Sequence, residues 1–494
     1  MDALRRAARF LLVPPGPGES AGHLWPRWIF LRLLGIWFFS AFYSLWFQVE
    51  GLVGPRGLLP AGDYLHEVAV ELGAKRLWFA PSLLWLGTSD RALLALCAFG
   101  MAASLALILN VWPRAAAFAC TAVFLSFIAV LQDFASYQSD GMLLEAGLLS
   151  VFFAPAGLRP KLGAGTAPSR LSLFALQWLC FRIYFESGVV KWKGHDPQWA
   201  HLTAMDHYYE NGPLPSFLAW WAQQRLPHAF HAATAAFTLV LELFLVWAMF
   251  LPRRFKIALG CLLVPFQLGI IATSNYAFLN WLVLSLGLLL FDDRFLARFG
   301  LRIPAAPARP PGPVRRWIEG IVLSWNLYAT YVLLLFGALP WLPRGPAELL
   351  RPWRLANRYG LFAVMTTARY EIEFQGSDDG VTWRPYPFRY KPQDPAEPNG
   401  LYTPYQPRFE WNLWFASLGG WRQYPWVVAC EQRLLEGAPE VLALFRTDPF
   451  RGRPPRHVRA VKWRYWFSSP EEKRARGVYW DREQLGEYAP AQPQ

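Results

Sequence analysis

Cysteine is scarce in this chain: 494 residues contain five. Cys97, Cys120, Cys180 and Cys261 fall inside long apolar runs and only Cys430 lies outside them, so no paired framework for a disulfide-stapled fold exists. Charge is scarce as well. Asp, Glu, Lys and Arg make up 17% of the residues, against roughly 25% in an ordinary soluble domain. CxxC, HExxH and phosphate-cradling glycine loops are all missing, so the sequence implies no metal and no cofactor. A secretory cleavage pattern is missing too. The apolar stretch 10–13 is too short and PPGPG follows it, so the first long apolar run is expected to stay as an anchor.

Apolar residues fill the space the charges leave: 54% are hydrophobic and 17% aromatic, with 26 tryptophans. A helix needs about 20 apolar residues to cross about 30 Å of hydrocarbon. Runs near that length lie at 28–49, 92–112, 115–133, 142–156, 171–190, 230–250, 255–274, 276–291 and 317–339. The shorter run 77–86 reads as interfacial or re-entrant. The expectation is a polytopic α-helical membrane bundle of about eight or nine spans over 28–339, after a cytoplasmic segment 1–27.

Basic residues in short loops are retained in the cytoplasm. Arg5, Arg6, Arg9 and Arg27 precede the first run, Arg114 follows the second, and Arg159, Lys161 and Arg170 follow the fourth. Arg253, Arg254 and Lys256 follow the sixth, and Arg294, Arg298, Arg302, Arg309, Arg315 and Arg316 follow the eighth. The loops at 136–140 and 274–275 hold none. The N-terminus is therefore expected inside and the C-terminus outside. The net charge of +13 is absorbed by these loops and by the Arg-rich C-terminal part, and calls for no nucleic-acid partner.

From about residue 340 the long apolar runs stop. EIEF at 371–374, GSDDG, then Val381 and Trp383 read as two strands around a tight turn. VRAVKWRYWF at 458–467 alternates at period two, and 411–418 and 439–445 suit short helices. The expectation over 340–494 is a β-rich soluble domain on the outer face, with helical insertions.

Five ionisable residues lie within the apolar runs: Arg32, Glu145, Arg182, Glu186 and Glu242. Charges there are costly, roughly 2.5–3.5 kcal/mol each on insertion scales. They read either as interhelical pairs or as the lining of a polar bundle pocket. Arg182 and Glu186, four apart, share a helix face and can pair. Lys191 closes the fifth run and is the candidate base of an enzyme reading, with His195 assisting; a lysine snorkelling to the interface gives the same pattern. His195, His201 and His207 recur every six residues, a spacing that matches no metal-ligand set.

Five segments carry a family resemblance: GLVGPRGLLP (51–60), YQSDGMLLEAGLLSVFFAP (137–155), FRIYFESGVVKWKG running on into DPQWAHLTAMDHYYENGPLP (181–215), EIEFQGSDDGVTWRPYPFRYKP (371–392) and PRFEWNLWFA (407–416). In this order they resemble the lipase maturation factor family over nearly the whole chain. The resemblance implies a multi-pass membrane protein that helps secreted enzymes, notably dimeric lipases, reach their active fold. In eukaryotic members it places the soluble part in the lumen of the endoplasmic reticulum. The Arg-rich, Lys-poor composition points instead to a bacterial inner membrane. More distantly, Gly188, Val189 and Lys191 are similar to the segment that supplies an active-site lysine in vitamin K-dependent gamma-glutamyl carboxylase. Two functions are thus expected to compete. One is an assembly factor whose exposed Trp383, Tyr386, Trp411 and Trp414 hold a client protein. The other is a membrane enzyme acting on a lipid, quinone or protein side chain through Lys191.

Overall fold

A computed structural model describes residues 22–166, 168–301, 312–335, 339–490 and 492–493. Arg5, Arg6 and Arg9, and the Pro-rich stretch 304–311, lie outside the described residues. Each apolar run contains a helix: α1 (Leu24–Trp46), α2 (Asp90–Ile108), α3 (Pro113–Ile128), α4 (Gln138–Phe153), α5 (Arg170–Lys193), α6 (His228–Leu243), α7 (Arg253–Thr273), α8 (Leu279–Gly287) and α9 (Pro313–Leu334). Helices follow because a segment in lipid must satisfy its own backbone polar groups. Their starts carry the signals expected of them. Ser89 and Ser169 cap α2 and α5, and Pro113 occupies the first turn of α3.

Five of these helices are long and apolar enough to cross a bilayer: α1, α2, α5, α7, and α6 together with its continuation to Phe250. These five are found among the described residues by length and composition, and they leave the expected count of eight or nine spans open. α3 and the α8 segment are apolar but shorter, and α4 spends two of its 16 residues on Asp140 and Glu145. The run at 77–86 forms only short turns, Arg76–Phe79 and Leu83–Leu86, with Leu77, Phe79 and Leu86 exposed, as suits an interfacial segment.

The C-terminal part is mixed rather than β-rich. A small antiparallel sheet, in the order β2-β1-β3-β4 with β5 also paired to β3, is built from β1 (Arg369–Ser377), β2 (Arg384–Pro385), β3 (His457–Phe467), β4 (Trp480–Glu487) and β5 (Gln492–Pro493). β1 and β3 pair from Arg369↔Tyr465 to Ser377↔His457. The GSDDG turn forms, but the second strand starts at Arg384, beyond the Val381 and Trp383 expected to begin it. Asp379 accepts from the amides of Val381 and Thr382 at 2.8 and 2.7 Å, which hold its carboxyl well below the usual range. Helices α10 (Arg408–Ser417) and α11 (Trp426–Leu435) pack on this sheet, and Tyr386, Phe388 and Phe445 from the connecting segments add to this part's core.

One contiguous apolar core runs through both parts. Phe134 of the bundle meets Trp426 of α11 with ring centroids 5.2 Å apart, and Tyr137 meets Trp411 of α10 at 5.3 Å. That packing corrects the expected client surface. Tyr386 is 1% exposed and Trp411 5%, because both rings fill this core. Trp383 and Trp414 are half-buried, the former beneath the Arg459 guanidinium at 3.9 Å.

Candidate functional site

All but Arg32 of the charges that sequence places in apolar runs are gathered where the bundle meets the sheet-bearing part. On α5, Arg182 and Glu186 share a face, and Ser187 and Lys191 share the adjacent one, each pair being four residues apart. Arg182 ion-pairs with Glu145 of α4 inside the bundle, and both side chains are buried. A segment that leaves α9 and runs back along α5 completes the cluster. Arg182 Nη1 donates to the Asn357 carbonyl at 2.8 Å, and the Tyr359 hydroxyl donates to Glu145 Oε2 at 3.0 Å. The Tyr359 amide donates to Glu186, and the Leu361 amide donates to Ser187 Oγ at 3.1 Å. Beyond the helix, Trp199 Nε1 donates to the Phe362 carbonyl at 2.9 Å, and Asp196 accepts from the Met365 amide at 2.9 Å. The intramembrane charges thus act as a cleat for the chain that leads into β1.

Two further arginines lock the parts together from the other side. Arg408, at the start of α10, grips Asp140 of α4 through both guanidinium nitrogens at 2.7 and 2.8 Å and also donates to the Phe134 carbonyl at 2.7 Å. Both side chains are fully buried. Arg369 of β1 donates to the carbonyls of Glu210 and Pro213 at 2.8 and 3.0 Å, and pairs with Glu371, which holds Lys391 at 2.8 Å. The glycine-rich motif at 51–60 lies at the same junction. A Cβ on Gly51 would stand 2.4 Å from the Glu440 carbonyl oxygen, so the helix Pro439–Leu442 can dock only on glycine. Within the C-terminal part, Glu410 accepts from three successive amides, Arg389, Tyr390 and Lys391, at 2.8, 2.8 and 2.6 Å.

Lys191 is not at the water interface. It is 3% exposed and gives its ammonium to both oxygens of Glu242 on α6, at 3.0 and 2.7 Å, under the Trp199 ring. Gly188 permits the approach, since a Cβ there would stand 2.8 Å from Glu242 Cβ. His195 is exposed in the turn after α5, with φ +53°, and no hydrogen bond joins it to Lys191 among the described residues. Arg32 stands apart from the other four expected pocket residues. Its guanidinium is buried against Trp28 and has no hydrogen-bond partner among the described residues. No group of three His, Cys, Asp or Glu among the described residues is arranged to hold a metal.

Sequence reasoning found Arg182, Glu186, Glu145, Lys191 and Glu242, and it missed Asp140, Asn357, Tyr359, Arg369 and Arg408. Asp140 and Arg408 did carry a signal. Each is a charge embedded in one of the quoted motifs among apolar and aromatic neighbours, where it needs an opposite partner. Nothing in the chain says that each is the other's.

Fold and junction together define a membrane protein in which a helical bundle is locked to an α+β cap by buried ion pairs. Residues 25–298 match the lipase maturation factor transmembrane domain, and 355–490 match the lipase maturation factor C-terminal domain. The chain belongs to the lipase maturation factor family. It is 32% identical to lipase maturation factor 1 of Bos taurus, over 97% of this chain and 92% of that protein. It is 32% identical to the Mus musculus protein of that name, over 95% and 87%, and 30% identical to lipase maturation factor 2 of Homo sapiens, over 95% and 83%. No solved structure matches.

Proposed function

We propose that this protein is a membrane-embedded maturation factor that assists secreted enzymes, lipases among them, in reaching the active state. The observation that carries this reading is the convergence of the family motifs. Segments from 51–60, 137–155, 181–215 and 407–416 meet at the junction that fixes the cap on the bundle. A rigid cap held at the membrane surface suits a protein that receives a chain as it emerges there. The loop charges support an N-terminus in the cytoplasm with the cap outside, and the Arg-rich, Lys-poor composition supports a bacterial inner membrane. Bundle 28–339 and cap 340–494 are the working division, with Trp383 and Trp414 as the aromatic contacts that reach the surface.

The test is the secreted proteome and secreted lipase activity of a deletion strain complemented with wild type, Trp383→Ala/Trp414→Ala, or a buried-junction variant. Loss of the activity of particular secreted enzymes at normal transcript level, restored by wild type alone, is the expected result. Unchanged secreted activities in the deletion strain would reject the reading. Protease added to intact spheroplasts should remove the cap; a protected cap would reverse the orientation.

A further inference from the structure

Beside the junction, the bundle holds a partly open cavity of about 400 Å³ between α5, α6, α7, α8 and the short helices Ala204–Asn211 and Phe217–Arg225. Its walls are almost entirely apolar and aromatic, Phe230, Phe266 and Ile270 among them, and the Lys191–Glu242 pair sits at its edge. That volume falls in the roughly 300–1,000 Å³ range of small-molecule sites. A cavity of that size suits a small molecule.

Two features say what can enter. The first is access: α6 and α7 form the bilayer side, and only 33% and 28% of their apolar windows are buried. Pro265, inside α7 and lining the cavity, has no backbone N–H to donate along that helix. The cavity is partly open, and Trp221 and Phe230 of its lining are exposed on the outside of the bundle. The second is a polar point within the apolar walls. Asn280 lines the cavity at 5% exposure. Its Nδ2 donates to Gln267 Oε1 at 2.8 Å, and Gln267 Nε2 donates to the Tyr184 hydroxyl at 2.7 Å. This chain leaves Asn280 Oδ1 buried with no donor among the described residues. A buried acceptor of this kind calls for a ligand hydroxyl or amide N–H. The one formal cation at the cavity, Lys191, is already neutralised by both oxygens of Glu242, so the walls offer no net charge to an anion.

We infer that this cavity binds a single-chain neutral amphiphile from the bilayer, with its hydrocarbon chain between α6 and α7 and a hydroxyl donating to Asn280. The site is independent of the maturation reading and can be tested with no client present. The probe is a monoacylglycerol with a diazirine near the end of its chain, photolysed with the full-length protein in phosphatidylcholine nanodiscs. The adduct is mapped by peptide mass spectrometry.

Labelling confined to cavity-lining peptides of α6, α7 and 217–225 is expected. Unlabelled monoacylglycerol should compete, and a fatty-acid anion of equal length should compete at least about tenfold less well at pH 8. Asn280→Leu should weaken competition by about tenfold, the worth of one buried hydrogen bond. Thr238→Phe, which fills the cavity from α6, should abolish the labelling and provides a second test if Asn280→Leu fails to fold. Label spread evenly over the lipid-facing helices, equal competition by the fatty-acid anion, or labelling unchanged in Thr238→Phe would overturn the inference.

Discussion

Asp140–Arg408, Glu145–Arg182 and Glu242–Lys191 are each taken out of water, and each holds its partner with direct contacts. A buried pair gives little net stability, but removing one partner strands the other at a cost of about 3–5 kcal/mol. Arg408→Met should therefore lower the folded yield and the thermal midpoint of the detergent-solubilised protein, and Arg408→Met/Asp140→Leu should recover most of the loss. The same cycle at Lys191→Met and Glu242→Leu decides what Lys191 is for. If it only balances Glu242, the double variant regains stability and complements the deletion strain; if it is a base, the double variant folds and does not complement. Glu431 of α11 adds a pH signature. Burial, with Glu487 nearby, pushes its carboxyl from 4.5 up to about 8. The folded state therefore binds this proton more tightly than the unfolded chain. The contribution to stability is whole below about pH 4.5 and is lost as pH rises towards about 8, at no more than about 1.4 kcal/mol per pH unit. Glu431→Gln should raise the midpoint at pH 8 relative to wild type and leave it nearly unchanged at pH 4.5, read by differential scanning fluorimetry.

Periodicity made some elements legible. Uninterrupted apolar runs give helices because lipid permits little else, and the alternation in 458–467 gives β3 because one face of that strand packs on α11. α11 and β4 were not legible. VVACEQRLL mixes buried Glu431 into its apolar face, and DREQLGE in β4 is polar on both faces, so the register of β3 defines it as a strand. The segment 354–365 carries no regular structure and no periodic signal, yet side chains of α5 fix it at three places. Gly51→Val tests docking at this scale. The new side chain would clash with Glu440 and Leu444, and the helix Pro439–Leu442 should lift off. The expected result is faster proteolysis within 436–456 with the bundle left protected; an unchanged digestion pattern would show that the contact is dispensable.

The continuous core and the Asp140–Arg408 pair join bundle and cap. A single unfolding transition is expected, followed in parallel by protease protection of α4 and of β3. Two separated transitions would show independent domains. Truncation after residue 339 removes Arg408, Asn357 and Tyr359, and so strands Asp140 and strips the Glu145–Arg182 pair of the Asn357 carbonyl and the Tyr359 hydroxyl. The truncated chain should accumulate poorly, and loss of secreted activity with it would report instability as much as a missing client surface. Sequence by itself determined the membrane, the helices, the turn chemistry and the family, because each is written in local composition, period or contiguous motif. Tertiary structure alone decided which charge meets which, that Tyr386 and Trp411 are core, and that Lys191 is spent on Glu242. Those facts depend on residues far apart in the chain, such as 140 and 408, that only packing brings into contact.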